Sequence, residues 1–350
     1  MTEPGIPRRA TIREVAAAAG VSSATVSNVL NGHPKASPET RARVRAAAAT
    51  LGWQPLAAAR SLRSARSHTV GLVLARTPDA VGDDFYSGFV AGLHDAVAND
   101  GFVVCLQVAN DPDHERELYT SLVRRRRVDG FVLTDERVDE YRPELLDQEL
   151  DVPWVLTSRL PYEGEDQSYE GEDQPYEGEV AGIAELAAHL VELGHSRIGY
   201  IGGPADLRGT IRRVAALTTA LEAAGCPAPV VHYGDFTAMA ARDGTAQLLA
   251  RRRPPTALVY GNDDMALAGM ALAGELGHRV PTDLSIAGQD NILLGRLNHP
   301  ALTTTSADPF GLGHCAGQTL VAKLLRRDDA PTPLPRRHAV LRQSTGPAAR

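Results

Sequence analysis

Five side chains between Ser22 and Asn28 carry hydroxyl or amide groups: Ser22, Ser23, Thr25, Ser27 and Asn28. Such groups donate and accept hydrogen bonds but are poor nucleophiles without a base beside them. They suit the reading of polar edges better than the breaking of bonds. An asparagine pairs bidentately with adenine, and an alanine lies against a thymine methyl. Asn28, Ser23 and Ala24 are therefore candidates to meet base edges. Thr11, Thr25, Ser27 and Asn31 are candidates to hold phosphates and fix register. Ordinary capping and surface polarity are the competing explanation, most of all for Thr11. No alternative chemistry stands out. His94, His189, His195 and His314 are scattered and accompany no serine or cysteine nucleophile motif. Cys105, Cys226 and Cys315 are far apart and lack metal-ligand spacing. No catalytic residue, metal or cofactor is expected.

The elements that would position these groups are legible nearby. Residues 11–31 spell a helix, a Gly-Val turn and a second short helix, the pattern of a helix-turn-helix that lays its second helix in the major groove. Val15, Ala16 and Ala19 share one face. Gly20 allows the positive φ of a tight turn. Ser22 is placed to cap the second helix, whose Val26, Val29 and Leu30 point inward. Ser37-Pro38-Glu39-Thr40 starts a third helix, with a cap, a proline in the first turn and an acid at the positive dipole end. That helix turns Val44, Ala47, Ala48 and Leu51 inward and Arg41, Arg43 and Arg45 outward.

In order, TIREVA, AGVSSATVSNVLNG, SPETRARV, LGWQP and ARSLR resemble the headpiece and hinge of the LacI-type (LacI/GalR) transcriptional repressor family. The resemblance runs through nearly all of residues 11–346. It implies a repressor that binds a palindromic double-stranded operator as a homodimer under the control of a small-molecule effector, a sugar. It also implies a hinge helix at 55–63, unstable alone. Two such helices would pair in the minor groove, with Leu62 wedging a base step and Ala57, Ala58 and Ala59 allowing close approach. Leu56 replaces the usual asparagine after Pro55.

From Val70 onward, short Val/Leu/Ile runs at 70–75, 102–108, 128–134, 152–158, 197–203, 229–234, 256–261 and 284–289 alternate with helical patterns. Alternation of this kind implies parallel sheets flanked by helices. The fold class expected is an all-α helix-turn-helix headpiece plus an α/β two-lobed core, periplasmic-binding-protein-like by resemblance. The headpiece would span 1–54, the hinge and linker 55–68, and the core 69–346. The first lobe would comprise about 69–158 plus 292–325, and the second about 159–291 plus 326–346. Crossovers are expected near 158–162, 288–292 and 306–325. Residues 162–179 carry seven-residue acidic units built on Tyr-Glu-Gly-Glu-Asp-Gln. They have no apolar seam and no EF-hand spacing, so a solvated insertion is expected rather than a coiled coil or a calcium loop.

Asn262 and Asp290 fall at the expected C-terminal ends of strands, where parallel sheets collect ligands. Asparagine offers a donor and an acceptor, and a carboxylate takes two hydroxyls. A helix cap is the competing role for the Asn262-Asp263 pair, with Asp263 as the expected cap. By resemblance, Arg213 joins them as the effector grip, with Arg212 as the alternative in register. Ser158 and Arg159 occupy a further effector position, and Phe85 or Tyr86 could stack on a sugar face. Ser158 stands where the family often has aspartate, and Gln289 where it has an apolar or aromatic residue.

Charge is divided unevenly. Residues 1–66 hold ten Lys or Arg against three Asp or Glu, and the rest holds 26 against 40. A basic headpiece attracts phosphates while an acidic body avoids them. No apolar run is long enough for a membrane span, and MTEPGIPRRA lacks a signal-peptide core. A cytoplasmic location is expected. The absence of leucine heptads near the end favours a dimer. The rival readings are a solute-binding receptor, an activator or global regulator governed by a protein partner, and an enzyme built on the same core.

Overall fold

A computed structural model describes residues 10–30, 36–53, 66–76, 84–163 and 177–349. Asn31, Ala59, Leu62, the hinge helix and most of the acidic repeat lie outside the described residues. The chain divides into two compact units, Met1–Ser67 and His68–Arg350.

The first unit is three helices, α1 (Ile12–Ala19), α2 (Ser23–Leu30) and α3 (Pro38–Thr50). Thr11 and Glu14 form a reciprocal capping box at the start of α1, and Gly20 ends it at φ 63°. Ser37 caps α3 ahead of Pro38. Val15, Ala16, Ala19, Val26, Val29, Val44 and Ala48 close a small apolar core. Leu51 departs from expectation: it stands at the C-cap of α3 and is exposed, while Trp53 packs on the core.

The second unit holds two four-stranded parallel sheets. The first is ordered β2-β1-β3-β4, from β1 (Thr69–Leu74), β2 (Val103–Val108), β3 (Gly130–Leu133) and β4 (Trp154–Leu156). The second repeats that order as β6-β5-β7-β8, from β5 (Ile198–Gly202), β6 (Val230–Tyr233), β7 (Ala257–Tyr260) and β8 (Ser285–Ala287). Helices α4 (Asp84–Ala98) and α5 (Pro112–Arg124) serve the first sheet. Helices α6 (Glu177–Glu192), α7 (Arg208–Ala223), α8 (Ala238–Leu249) and α9 (Asp263–Glu275) serve the second. Because helices cover both faces, the central strands read as continuous apolar runs. Val70, Leu72 and Leu74 pack with Phe89 and Leu93, and Val73 on the opposite face packs with Tyr119 and Phe131.

Two expected lobe boundaries move. Residues 292–305 pack with the second sheet, not the first. Ile292 N–H donates to Asp263, Leu302 is buried beside Tyr260, and Thr303 bridges Ala287. This stretch includes α10 (Leu293–Leu297) and β9 (Thr304–Thr305), the latter paired with β10 (Ala339–Val340). Most of the expected crossover at 306–325 is instead a long helix, α11 (Pro309–Leu325), packed along α4. Glycines permit that approach. A Cβ at Gly92 would lie 1.9 Å from the Phe310 carbonyl oxygen, and one at Gly313 2.0 Å from that of Phe89. Leu334 also returns to the first core, beside Leu160 and Tyr162.

Candidate functional site

Two surfaces gather the functional candidates, one in each unit. On α2, Val26 and Val29 are buried, which fixes the opposite face outward. Ala24 and Asn28 are exposed there, and Ser23, Thr25 and Ser27 are half-buried. The exposed Ser22 hydroxyl accepts from the Thr25 N–H at 3.1 Å and meets the Thr25 hydroxyl at 2.9 Å. Thr11 is more committed than expected. Its N–H donates to Glu14 at 2.6 Å and its hydroxyl donates to the same carboxylate oxygen at 3.0 Å. A carboxylate beside that hydroxyl opposes a phosphate there, so the capping role dominates at Thr11.

The second surface is a cleft between the two sheets. Its residues follow from topology, since parallel strands aim their C-terminal ends at a common crevice. From the first lobe come Arg76 after β1, Asp135 and Glu136 after β3, and Ser158 and Arg159 after β4. From the second come Phe236 after β6, Gly261 and Asn262 after β7, Asp290 after β8, and the arginines of α7. The cleft encloses about 760 Å³ of space continuous with solvent, lined by Phe85, Tyr162, Glu179, Thr210 and Arg337 among others. An adjoining hollow of about 300 Å³ is lined by Arg76, Phe85, Arg213, Phe236, Gly261, Asn262 and Asp290.

Three expected effector residues, Tyr86, Asn262 and Ser158, have other duties. Tyr86 is buried and donates to Asp135 at 2.8 Å, and its ring faces the Arg76 guanidinium, 4.9 Å from the centroid. It therefore offers no open face for stacking, and Phe85 is the available ring. Burial pushes the Tyr86 hydroxyl up, so it stays protonated as a donor. Asn262, not Asp263, caps α9: its Oδ1 accepts from the Met265 N–H at 2.8 Å. Its amide nitrogen reaches the Phe236 carbonyl at 3.5 Å. Asp263 turns inward, accepting from the Thr304 hydroxyl at 2.6 Å and from the Ile292 N–H at 2.9 Å. Burial pushes its carboxyl up to about 8. Ser158 donates to Glu136 at 2.6 Å, and Arg159 stands half exposed 3.8 Å from the same carboxylate.

Arg213 and Asp290 do reach the cleft. Arg213 donates to the Gly261 carbonyl at 3.3 Å and lies 3.6 Å from Glu179. Arg212 is present as well, between Glu136 and Glu179 at 3.6 and 3.5 Å. Both registers of that arginine pair therefore face the cleft. Asp290 adopts φ 100° and places Oδ1 3.6 Å from Arg337, with no hydrogen bond to that oxygen.

Sequence reasoning missed Arg76, Asp135, Glu136, Glu179, Phe236 and Arg337. Arg76 forks onto Asp135 at 2.5 and 2.7 Å, and its guanidinium also stands 4.7 Å from the Phe236 ring centroid. Burial raises the Asp135 carboxyl, but Arg76 and the Tyr86 donor outweigh it and hold the group below its ordinary value. The same contest at Glu179 is won by Arg213, Arg212 and Arg337. The ends of strands β3 and β6 were the available signal for Asp135, Glu136 and Phe236. Glu179 and Arg337 had none. Among the described residues no group of three or more His, Cys, Asp and Glu could hold a metal ion, and no helix is long and apolar enough to cross a membrane.

Comparison with known proteins finds a family match in each of the two units. Residues 11–55 match the model for bacterial regulatory proteins of the lacI family, and residues 187–345 match a periplasmic binding protein-like domain. The HTH-type transcriptional regulator CelR of Thermobifida fusca is 32% identical over 342 residues, covering 96% of this chain and 98% of its own length. The HTH-type transcriptional repressor PurR of Proteus mirabilis is 31% identical, covering 92% and 93%. Among solved structures, a CelR–cellobiose complex superposes with TM-score 0.68 at 29% identity, covering 96% of this chain and 100% of that one. A lac repressor dimer bound to operator and the anti-inducer ONPF superposes with TM-score 0.78 at 26% identity, covering 97% and 100%. The chain belongs to the lacI family of bacterial regulatory proteins and is a DNA-binding transcriptional regulator.

Proposed function

We propose that this regulator is a repressor that binds a palindromic operator as a homodimer and is released from it, or held on it, by a small polar metabolite of the sugar class. The observation that carries this reading is the pairing of a family headpiece with a polar cleft at the C-terminal ends of two parallel sheets. In that reading residues 1–54 are the headpiece, 55–68 the hinge, and 69–346 the effector-responsive body. Ser23, Ala24 and Asn28 meet base edges. Ser22, Thr25, Ser27 and Asn31 hold the backbone, and Ala59 and Leu62 serve the minor groove. Arg213, Asp290, Arg159 and Phe85 contact the effector. The CelR–cellobiose complex supports a sugar, and the operator-bound lac repressor dimer supports the assembly. Self-association has a local counterpart in Leu293, Leu294 and Leu297 on α10, which are 54%, 59% and 72% exposed. The protein acts by binding rather than by turnover, and does so in the cytoplasm, where the DNA is.

The effector works through linkage. A ligand shifts a two-state equilibrium only by its differential affinity for the two states, and operator must change effector affinity by the same factor. The test is selection of sites from random duplex DNA by the full chain, then titration of metabolites against the selected site. A two-fold symmetric site whose affinity responds to a sugar is the expected result. An asymmetric site, or one indifferent to every metabolite, overturns the reading.

A further inference from the structure

One set of ion pairs in the cleft is longer than several others on the same body, Arg76–Asp135 in the same cleft among them. Arg242–Glu275, Arg137–Asp206 and Arg76–Asp135 close to 2.7, 2.6 and 2.5 Å. Six pairs joining Arg159, Arg208, Arg212, Arg213 and Arg337 to Glu136, Glu179 and Asp290 instead lie at 3.5–3.8 Å. At that separation they attract each other without a hydrogen bond. Among the described residues, five guanidinium groups face three carboxylates in this network.

Three of these arginines gather near Glu179: Arg212 and Arg213 stand 3.5 and 3.6 Å from it, Arg212 shared with Glu136, while Arg337 acts on it from its pair with Asp290. Arg337 is only 8% exposed and lines the cavity, yet its Nη1 makes no hydrogen bond among the described residues. The buried Thr210 hydroxyl lines the same cavity and also makes none. Buried guanidinium and hydroxyl groups left in this condition are costly unless something completes them. Asp290 already has the Asp264 carboxyl group nearby, so an anion is better accommodated at the Glu179 end, beside the arginines.

From this we infer that the effector is a sugar carrying a phosphate ester, with the phosphate held by Arg212, Arg213 and Arg337. A phosphate monoester brings nearly two negative charges and three acceptor oxygens near neutral pH. Guanidinium forks match such oxygens bidentately. The Arg337 Nη1 is then completed, and the Thr210 hydroxyl meets the polyol. The inference rests on the reading of the cleft as the effector site.

The test uses the full chain and thermal melting followed by calorimetry. The probes are glucose 6-phosphate, fructose 6-phosphate and ribose 5-phosphate, each beside its free sugar, with cellobiose and inorganic phosphate. At least one phosphorylated sugar should bind ten-fold or more tightly than its parent, and more weakly as salt rises. Arg337→Gln should abolish that preference. Arg337→Lys, which keeps the charge and loses the fork, should retain part of it and guards against simple misfolding. Two outcomes overturn the inference: phosphorylated sugars binding no better than their parents, or a preference that survives Arg337→Gln. If a neutral sugar binds and Thr210→Val weakens it, the effector site stands while the phosphate falls. If no sugar binds, or only inorganic phosphate does, both fall.

Discussion

Arg76 of the first lobe reaches Phe236 of the second, its guanidinium carbon 4.7 Å from the ring centroid. The same group is fixed from behind by Asp135 and flanked by the Tyr86 ring. It thus pins the lobes together at the mouth of the cleft, as Arg137 and Asp206 do at 2.6 Å nearby. A cation–π contact of this kind contributes about 0.5–2 kcal/mol. Phe236→Ala should therefore shift the body toward a more open lobe arrangement. Small-angle scattering should record a larger radius of gyration without effector, and a smaller difference with it. An unchanged profile would show that other contacts set the closure.

Asn28 stands exposed on α2, opposite the buried Val26 and Val29. Asn28→Ala should cost roughly 1–3 kcal/mol on the preferred site and relax preference at one base pair in each half-site. Binding to single-base operator variants measures this. Equal loss on every variant would assign Asn28 to the phosphate backbone.

Much of this was legible because it is local. Capping residues, the Gly20 turn and inward valines lie within the one short stretch from Thr11 to Val44, and the Val/Leu/Ile runs mark strands without reference to anything distant. The cleft is different. Arg76, Phe236 and Arg337 are separated by most of the chain, and a single arginine or phenylalanine carries no periodic signal. Only the shared order of the two sheets brings them together. Asn262 and Asp263 were also indistinguishable by type, since either can cap a helix. The choice was made by Thr304 and Ile292, 41 and 29 residues away, which draw Asp263 inward. That contact also explains why residues 292–305 stay with the second lobe.

Two buried groups give stability opposite dependences on pH. His195 bonds Thr256, Ser285 and the Gly346 carbonyl, tying the C-terminal segment to β8. Burial holds its pKa below the ordinary histidine value, so the unfolded chain takes up the proton first. Stability from His195 is full above pH 6.5 and is lost as pH falls below it. Asp263, with its carboxyl pushed up to about 8, acts the other way. The folded chain holds that proton more tightly, so its contribution declines as pH rises from about 4 toward 8. Asp263→Asn should flatten the alkaline decline in melting temperature, and His195→Gln the acid one. Parallel pH profiles for wild type and both variants would remove these groups as the cause.

Asp290 provides the most direct test of how charge is used in the cleft. Its Oδ1 faces Arg337 at 3.6 Å without a hydrogen bond, on a backbone at φ 100°. Asparagine tolerates positive φ better than most residues, so Asp290→Asn removes the charge with little added strain. Two consequences follow from one substitution. A carboxylate that accepts sugar hydroxyls is lost, so a neutral sugar should bind several-fold more weakly. Arg337 loses its only ion-pair partner among the described residues closer than 4 Å, so a phosphorylated sugar should bind as tightly as before or more tightly. Operator affinity without effector should be unchanged. Calorimetry of wild type and variant with one sugar and its phosphate ester separates the two effects. Equal weakening of both ligands would mean that residue 290 shapes the cleft rather than balancing its charge.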